Sequence, residues 1–149
     1  MKKTVNRMEL RFPSYSVNER FARSAVSAFV LSLDPLVTEM NDLKTAVSEA
    51  VTNAVVHGYR ETIGEVYISA KIAEDGTVSV RIRDKGCGME DVQKAMEPLY
   101  TTGGDERAGL GFAVMQSFCD KVRVISKPGK GTTVILTKRF SGKCHDEQG

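Results

Sequence analysis

The stretch VYISAKIAEDGTVSVRI, residues 66–82, alternates apolar and polar residues on both sides of Asp75-Gly76. Successive strand side chains point to opposite sides, so Val66, Ile68, Ala70 and Ile72 lie on one side of their strand, and Val78, Val80 and Ile82 on one side of theirs. Asp-Gly between two such runs is a strong hairpin signal, because glycine takes the positive φ of tight hairpin turns. Strands covered on both faces read as continuous apolar runs, whereas these alternate. The segment therefore predicts hairpin-joined strands with one face against a core and the other toward solvent.

Working outward, residues 8–12 (Met-Glu-Leu-Arg-Phe) alternate as a further strand until Pro13-Ser14 break the pattern. Ser16 and Glu19 have the spacing of a capping box, and Phe21, Ala25, Val26, Ala28, Phe29 and Leu33 form a helical stripe. Asp34-Pro35 suits the start of a second helix, with Asp as N-cap and Pro at the first helical position. That helix is expected over 35–57, ending at Gly58 as a left-handed terminator. A third helix is expected from about 110 to 119. Strands over 121–127 and 132–139 then flank the turn Pro128-Gly129-Lys130-Gly131. Helices gathered apart from hairpin-joined strands give an α+β chain: a two-layer sandwich with helices on one face of a mixed, mainly antiparallel sheet. The expectation is a single domain over 1–140, with the polar residues 141–149 as a disordered tail.

Composition narrows the class. The 149 residues suit one domain able to bury a core without disulfides or metals. Lys+Arg at 21 against Asp+Glu at 19 argues against a generic polyanion binder. No run is long and apolar enough for a membrane span, and MKKTVNRMELRF lacks the apolar core of a signal peptide. Three cysteines, Cys87, Cys119 and Cys144, show no metal-ligand spacing, so a reducing cytoplasm is expected, with the cysteines as packing residues.

Three places carry candidate chemistry. On the second helix, Leu36, Met40, Leu43, Val47, Ala50, Val51 and Ala54 make an apolar stripe, while Glu49 and Asn53, four apart, project together on a roughly opposite face. They form either an ordinary solvated face or a carboxylate and a carboxamide aimed at one ligand. Asp84-Lys85-Gly86-Cys87-Gly88 follows the strand Val78–Arg83. It is either a plain turn or a strand-end acceptor for an exocyclic amine, beside glycines that admit a ligand to the backbone. Gly109-Leu110-Gly111 precedes the third helix, as flexible glycines alone or as a phosphate-binding helix start. Neither G-x-G-x-x-G nor G-x-x-x-x-G-K-[ST] occurs. Thr101 to Arg107, with two glycines, two hydroxyls, two acids and an arginine, reads as a mobile loop or lid.

Their order, Glu-x-x-x-Asn on a helix, Asp-x-Gly-x-Gly after a strand, then Gly-x-Gly at a helix start, resembles the GHKL superfamily of ATP-binding domains, with its Bergerat-type fold. Within it, VSEAVTNAVVHGY (47–59), RIRDKGCGM (81–89), PLYTTGGDERAGLGFAVMQSFCDKV (98–122), KGTTVILTK (130–138) and SVNERFARSAVSAFVLSLDP (16–35) are similar to bacterial anti-sigma factors with serine-protein kinase activity. The sporulation branch is matched more closely than the general-stress branch.

The resemblance implies Glu49 as general base and Asn53 as Mg²⁺ ligand, with Asp84 accepting the adenine amine. It implies Gly86 and Gly88 admitting the base, Met89 lining its pocket, and Gly109, Leu110 and Gly111 approaching the phosphates. Thr101, Thr102 and Arg107 would belong to an ATP lid, and Arg23 would meet a protein partner, unless it is an ordinary exposed helical arginine. His57 reads as a helix-end residue. The implied ligands are ATP or ADP with Mg²⁺. The implied partners are a sigma F-type RNA polymerase sigma factor, an anti-anti-sigma protein as phosphorylation substrate, and a second copy of the chain. Neither nucleic acid nor membrane is expected to bind directly. An ATP-gated interaction module without transfer, or a histidine-kinase catalytic fragment, would share the nucleotide boxes, although so short a chain has no acceptor-helix domain.

Overall fold

The computed structural model describes residues 2–96 and 106–141, those at 106–109 by backbone only. Strand β1 (Thr4–Pro13) leads to helix α1 (Asn18–Val30), a 3₁₀ turn (Leu31–Leu33) and helix α2 (Val37–Thr52). Helix α2 continues into a π-helical turn (Asn53–Gly58). Strands β2 (Glu65–Ala73) and β3 (Thr77–Asp84), helices α3 (Val92–Met96) and α4 (Glu106–Phe118), and strands β4 (Lys121–Ser126) and β5 (Thr132–Arg139) follow.

The sheet has the order β1-β2-β3-β5-β4, and all four pairings are antiparallel. The expected α+β architecture is present, and the sheet is antiparallel at every pairing rather than mixed. The hairpin turns at Gly76, whose φ is +87°, and Val66, Ile68, Ala70, Ile72, Val78, Val80 and Ile82 are all buried on one face. The turn after β4 likewise uses positive φ at Gly129 and Gly131. Strand β1 starts earlier than its apolar alternation implies. Thr4–Arg7 are exposed, so pairing with β2 rather than burial extends it.

Helix α2 packs between α1 and α4 and also touches the sheet. It therefore buries more than one stripe: Ala46 joins Leu43, Val47, Ala50 and Val51, whereas Leu36 stays exposed and Met40 half-buried. From α4, Phe112 and Met115 complete the core at this end.

Four local expectations give way to other devices. The Ser16–Glu19 capping box does not form. Val17 holds the N-cap without a side-chain bond, and the Glu19 carboxylate instead pairs with Arg23 Nε at 3.3 Å. The stripe of α1 that reaches the core is Ala22, Val26 and Val30, with Leu33 beyond it, while Phe21 and Ala28 are exposed. Asp34 takes a left-handed conformation (φ 49°), so α2 starts at Val37 rather than at Pro35. There the Leu36 amide donates to Glu39 Oε1 at 3.1 Å, and Glu39 Oε2 accepts from both the amide and the hydroxyl of Ser141. Gly58 does end the helix but not in a left-handed conformation, which falls instead to Arg60 (φ 54°). Residues 142–149, the expected tail, lie outside the described residues.

Candidate functional site

A cavity of about 490 Å³ opens between the π-helical turn, the loop after β3 and helix α3. Its wall includes Asn53, His57, Gly58, Asp84, Cys87, Gly88, Met89 and Thr132, with Arg60, Glu90, Asp91 and Lys94 also contributing. This volume is typical of a small-molecule site.

Asn53 reaches this wall through its place in the helix. It begins the π-helical turn, a widened turn often found at functional sites. Its residue is only 7% exposed and lines the cavity wall. A polar side chain held at the wall of a cavity can orient a ligand bound there. Its burial excludes the ordinary solvated face as the reading of Asn53. The physical reason is that the π-helical turn carrying it packs against β3 and α4.

Asp84 ends β3 and is 4% exposed. Burial pushes its carboxyl pKa up, while amides of Gly86 and Thr132 that donate to the carboxylate pull it down; the net direction is upward. The Gly86 amide reaches Oδ1 at 2.9 Å. Two carboxylate oxygens have about four lone-pair sites, so acceptor capacity remains for a ligand amine.

The loop after Asp84 is strapped on both sides. The Cys87 amide donates to the Gly58 carbonyl at 2.9 Å, and the Gly129 amide donates to the Cys87 carbonyl. The Met89 amide donates to Ser126 Oγ at 2.9 Å. The glycines permit this closeness for a reason other than ligand approach. A Cβ on Gly86 would stand 2.0 Å from the Gly58 carbonyl oxygen, and one on Gly88 (φ 71°) would stand 1.9 Å from that of Lys127. Each is required by protein backbone packed against it, which in turn fixes Met89 on the cavity wall.

Glu49 is half-buried and lies where α2 meets α4, its Oε2 3.1 Å from where a Cβ on Gly111 would be. It is not part of the cavity wall itself. Helix α4 begins at Glu106, so Gly109, Leu110 and Gly111 lie within its first two turns rather than before it. Leu110 is exposed and Gly111 buried. Thr101 and Thr102 lie outside the described residues, as does the side chain of Arg107. Arg23 sits away from the cavity on α1, ion-paired with Glu19.

Residues the sequence reading did not assign to the site include Thr132, His57, Arg60 and Lys94. Thr132 faces Asp84 in the β3–β5 register and bonds the Ser126 hydroxyl at 2.8 Å. Strand pairing brings it there, and no local motif announces it. Cys87 is not a packing residue: it is exposed on the cavity rim, its thiol donating to the His57 carbonyl at 3.2 Å. No helix among the described residues is long and apolar enough to cross a membrane.

Helices over one face of an antiparallel sheet, with a buried carboxamide and carboxylate in one cavity, define a nucleotide-binding domain of the histidine kinase-like ATPase class, and the family "Histidine kinase-like ATPase domain" matches residues 15–138. Anti-sigma F factor of Clostridium acetobutylicum is 51% identical over 137 residues, covering 91% of this chain and 95% of that protein. Anti-sigma F factor of Caldanaerobacter subterraneus subsp. tengcongensis is 54% identical over 134 residues, covering 89% and 93%. The chain belongs to the anti-sigma F factor family of histidine kinase-like ATPase domains. The crystal structure of the RsbU and RsbW domains of a Mycobacterium tuberculosis protein shares the fold, with a TM-score of 0.66 at 20% identity over 91% of this chain and 33% of that one. A blue-light activated histidine kinase domain from Erythrobacter litoralis shares it at a TM-score of 0.53 and 16% identity, over 80% and 59%.

Proposed function

We propose that this chain, as a homodimer, binds and inhibits a sigma F-type RNA polymerase sigma factor, and that it transfers the γ-phosphate of ATP to a serine of an anti-anti-sigma antagonist. The observation that carries the reading is that the largely buried Asn53 and the buried Asp84 carboxylate line one cavity.

In this reading Asp84 accepts the adenine amine, with Gly86 and Gly88 shaping the loop and Met89 lining the pocket. Asn53 offers Mg²⁺ a carboxamide oxygen, a suitable hard ligand, and the donor set fits that ion better than a soft metal. Bound Mg²⁺ supplies charge neutralisation of the phosphates. In this reading the phosphates lie over the start of α4, which includes Gly109, with Leu110 and Gly111 in its next turn, because the first amides of a helix lack intrahelical partners and favour anionic oxygens. Thr101, Thr102 and Arg107 would close over them as the lid. Glu49 takes the proton of the attacking serine hydroxyl, and phosphoryl transfer asks for little more than positioning and charge. Arg23, already oriented by Glu19, meets the protein partner. A phosphate on the antagonist adds about two negative charges and weakens its docking, leaving the sigma factor held. The site of action is the cytoplasm.

Incubation of the chain with labelled ATP and candidate antagonists tests this. Acid-stable phosphoserine supports it; acid-labile phosphohistidine would assign a histidine kinase instead. Binding of Mg·ATP with no transfer to any partner would reduce the chain to an ATP-gated interaction module.

A further inference from the structure

The helices cover one face of the sheet, and the other face is exposed and strongly cationic. Cross-strand register arranges its outward residues in rows. One row is Arg11, Tyr67 and Arg83, and the next is Glu9, Ser69 and Arg81, continuing through Ile135 to Arg123. A third pairs Arg7 with Lys71. All these cations are exposed, and among the described residues none has an ion-pair partner. A net charge of only +2 thus conceals a marked segregation, because the outward strand positions of β1, β2 and β3 carry only Glu9 and Glu65 as acids. A shallow depression of about 400 Å³ lies between Arg11, Tyr67, Arg81 and Arg83, with Glu9 also on its wall.

We propose that this outward sheet face docks an acidic segment of a partner protein. Guanidinium groups recognise carboxylates through paired hydrogen bonds, and a field of one sign steers an oppositely charged partner and sets its orientation. Two features favour a polypeptide over a nucleic acid. Tyr67, the aromatic ring of these rows, is already engaged by Lys85 Nζ at 5.0 Å and by the Arg83 guanidinium at 6.0 Å, so its face is not free for a base. Glu9, between Arg7 and Arg11 and opposite Ser69, interrupts any continuous phosphate track. The face lies across the sheet from Asn53 and Asp84, so docking there does not compete with the nucleotide cavity.

The test titrates the full-length chain into a short fluorescein-labelled oligoglutamate at low salt and follows anisotropy. Arg11→Glu with Arg81→Glu should weaken binding about tenfold or more, and Arg11→Gln with Arg81→Gln less, in line with charge-assisted contacts. Arg20→Glu with Lys44→Glu, an equal change of charge on the helical layer, should leave binding unchanged. Should the glutamate pair fail to fold by circular dichroism, the glutamine pair decides. Equal losses from both double reversals would overturn the proposal as mere net charge. Tighter binding of an oligothymidylate, lost in the same variants, would assign the face to nucleic acid. A change of oligomeric state in the Arg11/Arg81 variants without peptide would assign it to a second copy of the chain.

Discussion

Gly58 and the Asp84 carboxyl are in such close contact that a Cβ on Gly58 would stand 2.8 Å from Cγ and from each carboxylate oxygen. The end of the π-helical turn therefore positions the proposed adenine acceptor directly, glycine to carboxylate. Gly58→Ala forces one of them to move. Overpacking of this kind costs about 1–3 kcal/mol, and the displaced carboxylate should bind Mg·ATP more weakly. Thermal unfolding and calorimetry read the two effects. An alanine variant with unchanged melting and unchanged affinity would show that the contact has no consequence.

Asp84 itself should leave a signature in pH. Its folded pKa lies above the unfolded value near 3.8, chiefly through burial. A carboxyl that holds its proton more tightly when folded favours the folded state at low pH, and this contribution is lost as pH rises from 3.8 through the raised folded pKa. Asp84→Asn carries no such charge. Its stability relative to the parent in urea should therefore improve with pH across that window and then level off. Its ATP affinity should fall by about 10- to 150-fold, the worth of a charge-assisted hydrogen bond. A relative stability flat in pH, or an unchanged dissociation constant, would contradict the respective role.

Period-two and helical alternation made the layers readable, because burial on one side of a strand or helix leaves its mark in the residues concerned. Val66 to Ile82 gave the hairpin and its inner face without correction. Features set by neighbours were not readable. Asn53 looks like part of a solvated face until β3 and α4 pack against the turn that carries it. Thr132 reaches Asp84 only through pairing of distant strands. Gly58 is marked as a helix end, but its close approach to Asp84 is a tertiary contact that helix-capping rules do not contain. The start of α4 at Glu106 was missed because Gly109 and Gly111 weaken helix propensity, and packing of Phe112 and Met115 overrides it.

The packing of Gly111 on Glu49 separates catalysis from binding. Glu49→Gln should lower phosphoryl transfer by about 10²–10⁴, the value of general-base help, while Mg·ATP still binds. Gly111→Ala would put a methyl 3.1 Å from Glu49 Oε2 and push the carboxylate aside by a few tenths of an ångström. Alanine is the better helix former, so stability should hold or rise by about 1 kcal/mol as single-turnover transfer slows. Full transfer rates in both variants would remove Glu49 as the base.

The two described cysteines should differ sharply in reactivity, and the difference reports on the cavity. Cys119, between α4 and β4, is half-buried, and burial, with lesser opposing and reinforcing effects from Lys138, Asp120 and Asp42, pushes its thiol up to about 11. The reactive form of a cysteine is the thiolate, so at pH 8 only about one part in a thousand of Cys119 is competent. Cys87 is exposed and lies on the cavity rim. Iodoacetamide should therefore label Cys87 well before Cys119, as peptide mapping by mass spectrometry would show. Mg·ATP should slow labelling of Cys87 while leaving Cys119 unaffected. Labelling of Cys87 at the same rate with and without saturating nucleotide would place the ligand away from the Asp84 loop.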